Sequence, residues 1–433
     1  MDKRIVIVGA GVAGINAATK LVDNGYPGEL ITIIDKGNDP HNRLPEEVMT
    51  GMLGAGGWSD GKLTYHTAIG GQLSKYCGEE KAMELMDQVI SNFRRFHPKP
   101  EEIFCSDPVA EPDFIKPYFG LRLFPVWHIG SNYLHEIAKA WYQYLVDKGV
   151  NFTWNAEVVE IDFKNNKLFY ANTDAHTIKY DELIFAVGKS GIDFAQSLSD
   201  NYELPTEPKS VQIGVRFEAP QKYFQKLIDI SYDFKLYQKF DNVSLRSFCT
   251  NNNAAYVAVE ETYGDITYNG HAKKGEQFRN DMTNFGILME IKGIEDPFKW
   301  SRDVVQKLQV NGTGLYFSPC NTRQPALTSE GSIVSATQIS NLNTFDEALG
   351  EYSKYIMDFI IQMDKVFKFG DDWGMYIPEV KYLSPEPLVD YTNLALTEYP
   401  NVHFVGDALS ARGITVSGAH GIYVAESLIN PNK

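Results

Sequence analysis

Three side chains sit in settings where they could do chemistry. Lys62 lies near the end of the stretch GAGGWSDGKL (residues 54–63), where glycines leave the backbone bare beside one cation. A lysine there could steady an anion, either a charge that develops during a reaction or a substrate carboxylate. The competing reading is a surface lysine on a tight turn. His128, in PVWHIGS, precedes a helical stretch. It suits general acid–base work, or it is a structural histidine bonded to backbone. Cys249, in LRSFCT, could be a redox or covalent group, against the plainer role of core filling in a strand. Arg246, beside it, could bind an anionic substrate.

Something must position these groups. RIVIVGAGVAGINAATKLVDNGYPGELITIID at the N-terminus reads as strand, glycine turn, helix and strand. Gly9, Gly11 and Gly14 give GxGxxG. Gly9 permits the turn, Gly11 lets backbone N–H groups approach a pyrophosphate, and Gly14 lets the helix pack on the strand. The helix N-terminus, through Ala10, Val12 and Ala13, then faces phosphate with its partial positive charge. Gly25 stops the helix. Asp35, followed by Lys36, ends the second strand about twenty residues past Gly14, where an acid binds ribose hydroxyls and disfavours a 2′-phosphate.

Two further segments favour FAD over NAD. DELIFAVGKSG (181–191) is an apolar strand ending in a glycine turn at Val187 and Gly188, as for a strand returning to the dinucleotide. NVHFVGDALSARGITVSGAHGIYVAESL (401–428) is a strand, a Gly406-Asp407 pair and a helix rich in small residues. An aspartate in such a pair holds the ribityl chain, and the helix behind it aims its dipole at the flavin edge. Arg412, Gly413 and Ile414 are expected along that pocket. Val158, in NAEVVEI, is expected to meet the adenine through its backbone. No second GxGxxG occurs, so a nicotinamide or other electron partner would dock on the flavin face directly.

Elsewhere, residues 79–97 and 131–149 read as amphipathic helices, the latter capped by Ser131 or Asn132. EVVEIDFKNNKLFYA reads as a hairpin turning at Asn165-Asn166. Residues 210–292 are strand-like and aromatic, and 345–367 reads as one long helix. The 433 residues exceed one compact core. Net charge is −16, which disfavours duplex nucleic acid without excluding it. The four cysteines form no CxxC pair, so no metal is expected, and their scarcity fits a reducing, cytoplasmic setting. No apolar run of about 18 residues exists, so no membrane span is expected. Two cations before the first apolar run outline a signal peptide, but cleavage there would destroy the nucleotide motif.

Taken with WHIGSNYL, LIFAVGKSGIDF, PKSVQIGVRFEAP, LRSFCT, TNFGILMEI, YIPEVKY and the closing GDALSARGITVSGAHGIYVAE, the GAGGWSDGKL stretch resembles the uncharacterised FAD-dependent dehydrogenases that carry a GAGxFSDGKL signature, the NAD(FAD)-utilising dehydrogenases. The resemblance runs in order over most of the chain. It implies an α/β, Rossmann-like FAD-binding domain (GR2-type) with an inserted, mostly β substrate domain. The expected division is 1–75, 125–205 and 385–433 for FAD, 76–124 as a helical and loop insertion, and 206–384 for substrate. Gly57, Ser59, Asp60, Gly61 and Lys62 are then expected at the flavin, with Lys62 near the anionic reduced ring. DPHNRLPEEVMTG lacks the cysteine that many members have there, and SFC runs into TNNNAAY without a second cysteine. The implied function is a FAD-dependent oxidoreductase passing hydride between flavin N5 and a C–H or C–N bond of a small molecule (an amine, amino acid or carbonyl metabolite), or a redox-neutral isomerase. The alternatives are a flavoenzyme acting on a nucleobase and a non-catalytic FAD-binding protein.

Overall fold

Residues 5–8, IVIV, are β-branched and fully buried, which suits the middle of a parallel sheet covered on both faces. In the computed structural model they form the central strand of five, in the order Val402–Phe404, Glu182–Phe185, Ile5–Val8, Ile31–Ile34, Asn151–Thr153, all parallel. Ile5 lies opposite Ile31 on one side and Glu182 on the other. The structure describes residues 3–430 except 45–46, 48, 60, 109–111, 208–209, 263, 273–275, 321–322, 327–331 and 382–385.

Helix Val12–Asp23 follows the first strand, and Gly25, at φ +82°, lies just past its end. It packs against the C-terminal helix Ile414–Ile429 so closely that a Cβ on Gly421 would lie 2.0 Å from the Ala13 carbonyl oxygen. Helix Glu79–Phe96 packs on both, with Val89 against Gly418 and Asn92 Nδ2 donating to Asn16 Oδ1 at 2.8 Å. Helix Leu134–Asp147 is tied in by Trp141, whose indole N–H donates to Thr19 Oγ1 at 2.7 Å.

Two compact units result: Met1–Cys105, Pro125–Pro208 and Ser384–Lys433 form one, and Ser106–Phe124 with Lys209–Leu383 the other. Residues 76–124, expected as a separate insertion, are divided between them, because helix Glu79–Phe96 buries Leu85, Met86, Val89 and Phe93 in the first unit's core.

The second unit has an eight-stranded sheet ordered Thr337–Ile339, Leu315–Phe317, Gly374–Lys381, Val211–Pro220, Met282–Ile291, Val243–Asn253, Phe234–Lys239, Gly120–Leu123. One face is apolar, with Ile213, Val215, Phe217, Phe285 and Ile287 in a core shared with helices Pro297–Lys307 and Ser353–Phe367. Side chains alternate across a strand, so Arg216, Glu218 and Asn284 stand on the opposite face. They are buried there. The strand pair Ala255–Thr262 and Asp265–Ala272 is packed against that face: Arg216 Nη2 donates to Asn269 Oδ1 at 3.0 Å.

Two helices differ from expectation. The segment at 131–149 starts with a 3-10 turn, Ser131–Tyr133, and the α-helix begins at Leu134 with no side-chain cap, because the Tyr133 N–H is taken by the Gly130 carbonyl. The long helix at 345–367 is two, Asn343–Leu349 and Ser353–Phe367, broken where Gly350 takes φ +58°. The hairpin after Val158 closes at Asp162–Lys167, with Asn166 at φ +53° inside the turn.

Candidate functional site

A cavity of about 460 Å³ opens in the first unit at the carboxyl ends of Ile5–Val8, Ile31–Ile34 and Glu182–Phe185. This is where open α/β sheets bind ligands, and the volume lies in the range of roughly 300–1,000 Å³ usual for small-molecule sites. Gly9, Gly11, Val12 and Ala13 line it from the first turn, and Asp35 and Lys36 from the end of the second strand. Val158, Val187 and Gly188 form another wall, and Gly406, Asp407, Gly413 and Ile414 the next. Ala10 and Gly14 stand behind the wall. The Ala10 N–H donates to Asp35 Oδ2 at 2.8 Å. A Cβ on Gly14 would lie 2.2 Å from the Gly9 carbonyl oxygen, so only glycine lets helix and strand meet there.

Helix Val12–Asp23 begins at Gly11 with no side-chain cap and no acidic residue in its first turn. Its first N–H groups therefore point at the cavity unanswered by a side chain, which makes an anion site. The same holds for Ile414–Ile429, which begins at Gly413. Asp35 supplies the opposite charge. Its Oδ1 accepts from the N–H groups of Gly37 (2.7 Å) and Gly51 (2.8 Å). Both lone pairs of Oδ1 are thereby taken, while Oδ2, which accepts from Ala10, keeps one for a hydroxyl donor. Asp407 Oδ1 is held by Arg412 Nη1 at 2.6 Å, which places Arg412 behind Asp407 rather than in the lining.

Gly57, Gly61 and Lys62 also stand outside the lining, which takes Gly54, Ala55 and Gly56 from the same glycine stretch. The chain turns away after the short helix Gly56–Ser59, and Lys62–Thr64 enters a second small sheet. Asp60 and the Ser59 side chain lie outside the described residues. That small sheet sets Lys62 directly opposite His128 on the antiparallel strand Val126–His128. Opposite residues on such a pair share a face with Cβ atoms roughly 4.5–5.5 Å apart. The His128 ring is buried and stacks on Phe104, centroids 4.6 Å apart. Two of the three chemical candidates are thus neighbours.

Cys249 and Arg246 belong to the second unit. Cys249 sits at a bulge in Val243–Asn253 with φ +51°, and its carbonyl accepts from Arg216 Nη1 at 3.0 Å. Arg246 Nη2 donates to Gln212 Oε1 at 2.9 Å.

Sequence reasoning missed Arg43. It is buried, and its guanidinium donates to the carbonyls of Glu47 (2.8 Å), Met52 (2.6 Å) and Gly54 (3.3 Å), among others. It lies 4.2 Å over the Trp58 ring, which stacks on His135. Burial pulls Arg43 down to about 10, with Asp35 and Glu47 opposing. Arg43 so fixes residues 51–56 as a cavity wall. Its only sequence signal is an arginine shortly after the strand-ending acid.

No protein-family model matches the chain. A protein of Clostridium beijerinckii (strain ATCC 51743 / NCIMB 8052), described only as uncharacterized, is 24% identical over 478 residues, covering 98% of this chain and 80% of its own. Among solved structures, the flavin-dependent halogenase CmlS superposes at a TM-score of 0.46 and 11% identity, covering 99% of this chain. This chain spans 58% of that halogenase. A flavoprotein/dehydrogenase from Cytophaga hutchinsonii gives 0.43 at 11% identity, covering 99% of this chain and 79% of its own. Among the described residues no helix is long and apolar enough to cross a membrane.

Proposed function

We propose that the chain binds FAD in the first unit's cavity and is an oxidoreductase acting on a small molecule. The observation that carries this is convergence: two uncapped helix N-termini, Asp35 and Asp407 all meet one cavity at the strand ends. The N–H groups after Gly11 would hold the pyrophosphate, Asp35 a ribose hydroxyl through Oδ2, and Asp407 the ribityl chain. The backbone near Val158 and Val187 would flank the adenine and ring edges. The residues fit the group, since Gly11 leaves open space (a Cβ there would find no atom nearer than 4.0 Å). Bound FAD supplies two-electron chemistry, taking hydride from a C–H or C–N bond or returning it in an isomerisation.

The chain's own contribution is the pair Lys62 and His128. Lys62 would hold an anionic group, and His128 would take or give the proton. Cys249 is the third candidate, in the second unit. No second GxGxxG occurs, so a nicotinamide would act as a diffusible electron partner. The test is anaerobic bleaching of the protein's flavin band by panels of amines, amino acids and hydroxy or keto acids. Bleaching by one class supports a dehydrogenase. Turnover of substrate without net bleaching supports an isomerase. A chain that carries no flavin and takes up none overturns the reading.

A further inference from the structure

The second unit gathers positive charge in a way that its fold does not require. Strand Gly120–Leu123 pairs antiparallel with Phe234–Lys239 and sets Arg122 directly opposite Lys235. Strand Val243–Asn253 on the other side sets Arg246 opposite Tyr237. Phe234 and Leu236 point into the apolar core. By alternation Lys235 and Tyr237 point to the other face, and Arg122 and Arg246 share it. Like charges directly opposite in an antiparallel pair destabilise a sheet.

Their counter-charges are incomplete. Among the described residues Lys235 has no hydrogen bond or ion pair; its ammonium lies 5.1 Å from the Phe124 ring centroid. Arg122 likewise has only the Tyr237 ring, 5.4 Å away. Arg246 reaches Glu290 Oε2 at 3.5 Å and Gln212. The charged and titratable groups around Lys235 are Asp233, Arg246, Cys249 and Arg122. Burial pulls Lys235 down to about 8; Asp233 opposes this, and the two arginines add to it. A half-buried ammonium facing two guanidiniums, with one carboxylate nearby but not in contact, is an arrangement that an added anion would relieve.

We propose that Arg122, Lys235 and Arg246 form an anion site that holds the carboxylate or phosphate of a small molecule beside Cys249. The site gives the second unit a ligand class, an anionic metabolite, and goes beyond the flavin reading without resting on it. Sulfate binding requires no flavin, so the two can fail separately. A ligand so held would lie next to the Cys249 thiol. Affinity for the anion requires charged Lys235, so it is full below about pH 8 and falls above it, at a somewhat higher pH once the anion is bound.

The test uses the purified full chain, titrated calorimetrically with sulfate, whose charge is constant over this range, and with succinate. Wild type should bind one or both saturably. Lys235→Met and Arg122→Met should each weaken binding roughly tenfold or more, and Lys235→Arg should retain it. Lys226→Met, an exposed lysine elsewhere in the unit, should leave it unchanged. Sulfate should also slow alkylation of Cys249 in wild type and not in Lys235→Met. In the absence of anion, Lys235→Met should melt no lower than wild type. Three results overturn the site: no saturable binding of either probe, equal binding by wild type and Lys235→Met, or tight binding of a single-stranded oligonucleotide with neither small anion bound.

Discussion

Gly11 and Gly14 belong to one motif, yet they should fail in opposite ways when substituted. At Gly14 the missing Cβ would stand 2.2 Å from the Gly9 carbonyl oxygen and 2.9 Å from Ile7 Cγ2. That is roughly 1 Å short of ordinary contact, and one obstacle is backbone, so the helix itself must shift. Gly14→Val adds two methyl groups to this overlap, and the cost should reach about 3 kcal/mol. In a unit of this size that lowers the melting temperature by roughly 6–12 °C. At Gly11 the backbone is extended at φ −66° and a Cβ would find no atom nearer than the Ala186 carbonyl oxygen at 4.0 Å. Gly11→Ala should cost the empty fold at most about 1 kcal/mol, the N-cap preference for glycine over alanine. Its methyl nevertheless occupies the space through which a pyrophosphate would reach the helix N–H groups, so FAD affinity should fall at least about tenfold. Melting curves of flavin-stripped protein, paired with flavin content by absorbance, separate the two effects. A Gly11→Ala protein with full flavin, or a Gly14→Val protein that melts with wild type, would refute the reasoning.

Other outcomes follow from the same geometry. Arg43→Met keeps the packing on Trp58 but frees the carbonyls of Glu47, Met52 and Gly54, and should cost roughly 2–4 kcal/mol with a parallel loss of flavin, read by denaturant titration and flavin content. Glu218 is buried, Oε2 has no hydrogen-bond partner among the described residues, and burial raises its carboxyl to about 7 with Arg323 opposing. The native state therefore binds the proton more tightly than the unfolded chain does, and wild-type stability should fall as pH rises from the ordinary carboxylate range to about 7. Glu218→Gln should not share that fall; it should match wild type near pH 4 and exceed it above pH 7 by roughly 1–3 kcal/mol, as urea denaturation across pH would record. Lys62→Met and His128→Gln should keep stoichiometric flavin while slowing its anaerobic reduction by roughly 10²–10³-fold, in stopped-flow traces with the identified substrate. Equal rates would remove both from the chemistry.

The legible parts of the chain were those whose signal is local. Strand, glycine turn, helix and strand over residues 5–34 follow from β-branched runs, small-residue spacing and a 3.6-residue apolar period. The terminal Gly406-Asp407 unit announces itself in the same way. The cavity gathers residues from those segments together with Val158 and Val187. What escaped depends on contacts between distant segments. Arg43 satisfies carbonyls of a loop, and nothing in HNRLPEEV says which loop. Lys62 and His128 face each other only through strand register, which neither local sequence encodes. In the second unit, alternation suggests a solvated face for Arg216 and Glu218. Both are buried there, with the strand pair at 255–272 against that face and the Glu379 carboxylate 2.6 Å from Arg216. The break at Gly350 was visible as a glycine but not as an end, because the apolar period continues across it.

The most direct test of the central claim is the identity and amount of what the purified chain releases on denaturation. The geometry predicts FAD, measured by mass and absorbance, at close to one per chain, and its retention by wild type but not by Gly11→Ala. Protein that releases no flavin and shows no quenching of added FAD would contradict the account at its root.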